Sequence, residues 1–150
     1  MYPNAEAANR QPPPKLTISK GENMETGIKG HAEVLVDETN IASRLGSGVV
    51  DVFATPCLIG LMEEAAQTSV APYLDEGMTT VGTKLDVSHD AATPVGMKVR
   101  AESELIEVDG RRLVFSVKAY DECGLVGQGM HERFIVRLDR FMEKAAAKKK

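Results

Sequence analysis

The sequence predicts an α+β protein in which an antiparallel sheet wraps around one long central helix. Three observations predict it. Residues 55–71 carry one wide apolar arc at helical spacing. The segments on either side alternate apolar and polar residues, as half-buried strands do. The strands after the helix are joined by short turns, which suit antiparallel neighbours, whereas parallel ones need long crossovers.

In chain order, residues 1–15 (MYPNAEAANRQPPPK) read as a flexible arm, because Pro12, Pro13 and Pro14 exclude a helix and favour extended polyproline geometry. The folded domain is expected over residues 16–143, and residues 144–150 (KAAAKKK) form a basic tail. Ile28, Gly30, Ala32, Val34 and Val36 share one face of a first strand, with Lys29, His31 and Glu33 on the other. Residues 37–54 form a long loop or lid around Gly46 and Gly48, with room for a short helix, and loops of that length in compact domains are often functional.

The helix follows. Thr55 is placed as its N-cap, Pro56 suits the first helical position, and Pro72 marks its end. Leu58, Ile59, Met62, Ala65, Ala66, Ser69 and Val70 form its apolar arc. Gly60 is the misfit, since glycine weakens a helix interior, and its use would be the close approach of another backbone.

Four strands then follow. Val81, Thr83, Leu85 and Val87 alternate with polar residues, and Pro94–Gly96 turns the chain. Met97, Val99, Ala101, Ser103 and Leu105 alternate up to Asp109-Gly110, a strong hairpin signal. Leu113, Phe115, Val117 and Ala119 make the next strand, and residues 121–124 turn again. The last strand runs from about Leu125 to Leu138, with Phe134, Val136 and Leu138 on one face. One helix packed on a single antiparallel sheet is the layout of the hotdog fold. Its open sheet edges would be protected by pairing two copies, so a dimer or higher even oligomer is expected.

Composition narrows the function. The chain has 150 residues, 18 basic and 22 acidic, for a net charge of −4, which argues against a nucleic-acid binder. With no Trp, 3 Tyr and 4 Phe it also lacks a stacking platform for single strands. No apolar run approaches a membrane span and no secretory signal pattern is visible. Cys57 and Cys123 are isolated, with no CxxC and no Cys/His cluster, so neither a metal site nor a disulfide framework is expected. A reduced, cytoplasmic setting follows.

Few residues can carry chemistry. On the helical wheel Glu64 lies opposite the apolar arc, whereas Glu63 falls at its border. A carboxylate there is costly unless paired or used, and the bland alternative is that it reaches solvent or meets an Arg of a partner chain. Thr55 is explained by capping alone, but it also stands at the positive helix N-terminus, where an oxyanion would be stabilised. His89 ends the row that begins at Val81, at the rim of the core, where an imidazole can serve as a general base. His31 and His131 face with charged Glu33 and Arg133 and read as structural or surface groups. Gly82 marks a bulge or a close approach in the strand leading to His89. Gly127-Gln128-Gly129 lies in a strand with no following helix, so it is not a phosphate loop.

The run VFATPCLIGLMEEAAQTSVAPYLDEGMTTVGTKLDVSHDAATPVGMKVRAESEL, continued by DGRRLVFSVKAYD and GLVGQGMHERFIV, resembles hotdog thioesterases of the fluoroacetyl-CoA thioesterase type over about residues 26–140. The resemblance implies a dimer that hydrolyses an acyl-CoA to a free acid and coenzyme A without a further cofactor or a metal. It implies Thr55, Glu63 and His89 as the catalytic set, and Gly82 beside the acyl pocket. Phe53, at the helix start, and Gly60 join the expected substrate-binding residues. In the fluoroacetyl-specific enzyme, aromatic lid residues help recognise substrate, but here the lid reads SRLGSGVV and Phe53 is the only aromatic beside it. A small or medium acyl group is expected. Coenzyme A would lie across the dimer interface, with Arg100, Arg111, Arg112 and Lys118 as candidates for its phosphates. Two other readings compete: a non-catalytic acyl-CoA sensor, which would tolerate loss of Glu63, and a hotdog hydratase or dehydratase, against which the absence of a helix histidine weighs.

Overall fold

A computed structural model describes residues 24–149, so the expected arm over residues 1–15 lies outside them. Strand β1 (Lys29–Leu35) leads through a lid with a short helix α1 (Ala42–Leu45) to the central helix α2 (Thr55–Val70). A 3-10 turn at Ala71–Tyr73 follows, then β2 (Met78–His89), β3 (Lys98–Asp109), β4 (Arg112–Asp121), β5 (Gly124–Arg137) and a terminal helix α3 (Leu138–Ala146). The five strands form one antiparallel sheet in the order β1-β3-β4-β5-β2. β1 and β2 are therefore its edges within the chain. Helix α3 carries the first of the tail's basic residues, Lys144, on its last turn.

Helix α2 lies across β1 and β3 and buries Leu58, Leu61, Met62, Ala65, Ala66 and Val70. Each large apolar side chain so buried contributes about 1.5–3 kcal/mol. Leu61 is buried although it lies outside the expected arc, while Ile59 and Ser69 are only half-buried. Gly30 lets the helix settle on β1, because a Cβ there would meet the Ala65 carbonyl oxygen and the Ser69 side chain. Gly60, in contrast, is exposed and a Cβ on it would meet nothing within 4 Å, so within the chain no backbone approaches it.

Three local features depart from the sequence reading. The β3–β4 loop is Gly110-Arg111, with Asp109 paired to Arg112, so the turn falls one residue later than Asp109-Gly110. Gly110 has φ 60°, as the first position of a primed hairpin turn requires. β2 carries a bulge between Gly82 and Lys84, which switches the inward row from Thr80 and Gly82 to Leu85, Val87 and His89. On β5 the inward face holds His131, Arg133 and Ile135, so Phe134 and Leu138 are outward, 39% and 50% exposed.

Candidate active site

The N-terminal end of α2 meets the C-terminal end of β2. Ala54, not Thr55, is the N-cap and makes no side-chain capping bond. Thr55 is the first helical residue, and its hydroxyl is spent elsewhere: Oγ1 lies 2.7 Å from Nδ1 of His89. Burial pulls the His89 imidazole below its ordinary value, opposed by a hydrogen bond to the Ala91 backbone and by the Asp90 charge. The ring is neutral at neutral pH and able to accept a proton. No acidic side chain stands in the first turn of α2 to cancel its positive end.

The pair opens into a cavity of about 260 Å³ lined by Ser47, Gly48, Val50 and Phe53 of the lid and by Ala91 and Ala92 after β2. The lid is a built structure. Ile41 bridges to Phe53 and Val52 to Pro94. Asn40 donates from Nδ2 to the Leu35 carbonyl at 3.0 Å and accepts from the Asp37 amide at 2.9 Å, while its own carbonyl accepts from the Ala54 amide at 2.9 Å. At the tip, Val49 and Val50 stay 93% and 54% exposed, so apolar surface stands free beside the cavity. Phe53 is buried and forms the cavity wall.

Glu63 sits two turns further along α2, half-exposed, above Gly82. A Cβ at residue 82 would collide with Glu63 Oε2, so the β2 glycine makes space for the carboxylate. Arg133 Nη1 donates to Glu63 Oε2 at 3.2 Å. The guanidinium is itself held by Thr80, through Nε to Oγ1 at 2.9 Å and Nη2 to the carbonyl at 3.0 Å. His131 completes the set: Nδ1 donates to the Lys84 carbonyl at 2.8 Å, which leaves Nε2 to accept from Arg133 Nη1 at 3.1 Å. Burial, and secondarily the Arg133 charge, lower the His131 pKa, consistent with that neutral tautomer. The arginine that meets Glu63 therefore comes from the same chain, not from a partner.

The structure thus brings Thr55 to His89, Phe53 to their cavity and Gly82 to Glu63. It does not bring Glu63 to the Thr55–His89 pair: eight helical residues separate them, a rise of about 12 Å. Gly60 touches neither group. His131, Arg133 and Thr80 gather around Glu63, a grouping the strand pattern of the sequence does not reveal. The available signal was the polar pair His131 and Arg133 at a spacing of two, on the same side of a strand as Ile135. His31 lies on the exposed face of β1. Cys57, whose thiol burial pushes up, stays protonated beside the helix start.

Of the expected phosphate ligands, Arg112 is consumed by Glu107 and Glu132, each at 2.9 Å. Arg100 pairs with Glu102 at 3.0 Å and stacks over Tyr120. Among the described residues no cluster of His, Cys, Asp and Glu could hold a metal ion, and no helix is long and apolar enough to cross a membrane.

Sheet, central helix and helix-end polar pair define a hotdog-fold protein of the thioesterase superfamily. A thioesterase superfamily member from Thermus thermophilus aligns at TM-score 0.77 and 27% identity, over 84% of this chain and 93% of that one. More narrowly, the chain belongs to the fluoroacetyl-CoA-specific thioesterase family, whose model matches residues 36–139. A fluoroacetyl-CoA thioesterase from Streptantibioticus cattleyicolor is 44% identical over 98 residues, 65% of this chain and 70% of that one. A solved structure of the fluoroacetyl-CoA thioesterase FlK, a mutant in complex with fluoroacetate, aligns at TM-score 0.80 and 34% identity, over 85% of this chain and 100% of that one.

Proposed function

We propose that this protein is an acyl-CoA thioesterase acting on a small or medium acyl group. The observation that carries the reading is the Thr55–His89 contact of 2.7 Å at the open end of α2, beside the lid cavity. Family membership supports the same reaction. The thioester carbonyl lies at the helix N-terminus, where the Thr55 amide and the helix dipole stabilise the oxyanion. Thr55 and His89 orient the carbonyl and the proton transfer. Glu63, counter-charged by Arg133, either takes the proton of an attacking water or attacks the carbonyl itself. The C–S bond breaks and coenzyme A leaves as a thiolate that takes up a proton. On the water route the free acid forms directly; on the covalent route a water then cleaves the Glu63 mixed anhydride, releasing the acid and restoring the carboxylate. No other cofactor enters.

The working unit in this reading is a cytoplasmic homodimer. β2 is an edge strand, and pairing two copies along it offers one copy's Glu63 to the other's Thr55–His89 pair. That would close the gap of about 12 Å that a single chain leaves. The lid carries Val49 and Val50 at its tip in place of aromatic residues, which favours a small or medium acyl group over fluoroacetyl in particular.

Thiol release from a panel of acyl-CoAs, short-chain to aromatic, tests the reaction. Release by wild type and none by a folded Glu63→Ala protein is the expected result. Tight binding of CoA esters without release would instead make the protein a sensor. Mixing inactive Glu63→Ala and His89→Ala chains tests the shared site: mixed dimers recover activity if the set spans two copies, and stay inactive if it does not.

A further inference from the structure

A second cavity of about 250 Å³ lies at the rim where β2 begins and β5 ends, away from the Thr55–His89 pair. Met78, Val136 and Phe141 give it an apolar wall, and Arg111, Arg140 and Lys144 line it with positive charge. The fold brings these cations together from distant parts of the chain. Arg111 stands at the tip of the β3–β4 hairpin, and Arg140 and Lys144 lie one turn apart on α3. The acids of α3 do not answer them: Asp139 pairs with Arg137 at 3.3 Å, and Glu143, although three residues from Arg140 on the helix, forms no ion pair with it or with Lys144. Among the described residues no carboxylate pairs with Arg111, Arg140 or Lys144. Neighbouring Arg112, held by two glutamates, shows what a structural arginine looks like in this chain. Three unanswered cations around one groove are notable in a chain of net charge −4.

The ligand chemistry follows from the lining. Guanidinium groups match phosphate oxygens in bidentate fashion, and an ammonium adds a point charge. The ring of Phe141, 40% exposed, and the Met78 thioether offer a flat base an apolar surface. We infer that this groove binds the nucleotide end of coenzyme A, its diphosphate and 3′-phosphate on Arg111, Arg140 and Lys144 and its adenine against Phe141. The inference rests on the acyl-CoA reading above, and distance supports it. Met78 lies four residues along β2 from Gly82, about 13 Å, and Glu63 packs on Gly82. The arm from the thioester sulfur to the diphosphate is about as long as four extended residues, roughly 14 Å. It assigns Arg111, alone of the four cations expected from the sequence, to the phosphates.

The test combines binding and kinetics on the full chain, using wild type and an Arg111→Ala/Arg140→Ala/Lys144→Ala variant whose fold is checked by circular dichroism. In calorimetry, adenosine 3′,5′-bisphosphate should bind wild type at least tenfold more tightly than the variant, and at least tenfold more tightly than inorganic phosphate binds wild type. In kinetics, the ratio of kcat/KM for an acyl-CoA to that for the same acyl group on pantetheine should fall tenfold or more. A general structural loss would lower both substrates alike and leave that ratio in place. Equal bisphosphate binding by the two proteins, binding no tighter than phosphate, or an unmoved ratio overturns the inference. If wild type hydrolyses neither substrate, the thioesterase reading fails while calorimetry still decides the groove.

Discussion

Arg133 reaches Glu63 with the same nitrogen that meets His131: Nη1 lies 3.2 Å from Glu63 Oε2 and 3.1 Å from His131 Nε2. A buried guanidinium, fixed by two bonds to Thr80, therefore sets where the half-exposed carboxylate stands. This is a positioning role. Lysine keeps the charge but has no planar fork to reach Thr80 and Glu63 together. Arg133→Lys should lower kcat about tenfold to a hundredfold with a smaller change in KM. Arg133→Ala should also lower stability by about 1–3 kcal/mol, because Thr80 and His131 lose a buried partner. Steady-state kinetics beside thermal melts separate the two effects. A drop in melting temperature with kcat intact would make Arg133 merely structural.

Two glycines make a matched pair of experiments. At Gly82 an added Cβ meets the far end of a flexible side chain, Glu63 Oε2. At Gly30 it meets the Ala65 backbone carbonyl, which cannot swing away. Gly82→Ala should therefore fold normally and lose tenfold or more in kcat, because the carboxylate must leave its position. Gly30→Ala should lose stability by about 1–3 kcal/mol through overpacking of α2 on β1. Melting curves and thiol-release rates on both variants check the contrast, and an active Gly82→Ala protein would remove the glycine from the site.

Much of this was legible in the sequence, and the misreadings share a cause. The central helix, the strand before it and the four strands after it come from periodicity and turn signals, and the proposed site residues Thr55, Glu63, His89 and Gly82 rest on the family resemblance. Periodicity assumes an unbroken strand, however, and β2 is not one. The bulge at Thr83 shifts parity, so Gly82 and His89 face the same way although they are seven residues apart. On β5, alternation favours Phe134 and Val136 as the inner row, yet the sheet turns His131 and Arg133 inward to serve Glu63. Polar residues on the core side are what a functional site looks like to a pattern that rewards apolar burial. Local sequence offers a cap at Thr55 and cannot show His89 arriving from 34 residues away to take its hydroxyl.

The Thr55–His89 pair gives a pH signature. Burial holds the His89 pKa below the ordinary value of about 6.5. In the proposed mechanism the neutral ring is the active form, so activity should persist through neutral pH and fall only as pH drops through that lowered value. In a pH profile of kcat/KM the acid limb should lie below about pH 6.5. His89→Ala should remove that limb and cost on the order of a hundredfold or more. Thr55→Ser should keep the limb in place, since its hydroxyl can still meet Nδ1. Thr55→Val, which buries no new volume but offers no hydroxyl, should lose rate without losing the fold. An acid limb unchanged in His89→Ala would assign it to another group.

The lid rests on Asn40, whose amide and carbonyl groups tie residues 35, 37 and 54 into one corner. The side chain is buried, so Asn40→Ala leaves the Leu35 carbonyl and the Asp37 amide short of partners. That should cost about 1–3 kcal/mol, a fall of several degrees in melting temperature. The more telling effect is on substrate. The Ala54 amide bond to the Asn40 backbone survives the substitution, so α2 should keep its start and Thr55 its place. What loosens is the base from which the lid projects Val50 and Phe53 over the cavity. KM for acyl-CoA should therefore rise severalfold while kcat at saturation falls less. A kcat loss as large as that of Thr55→Val would mean instead that the corner positions the helix end itself.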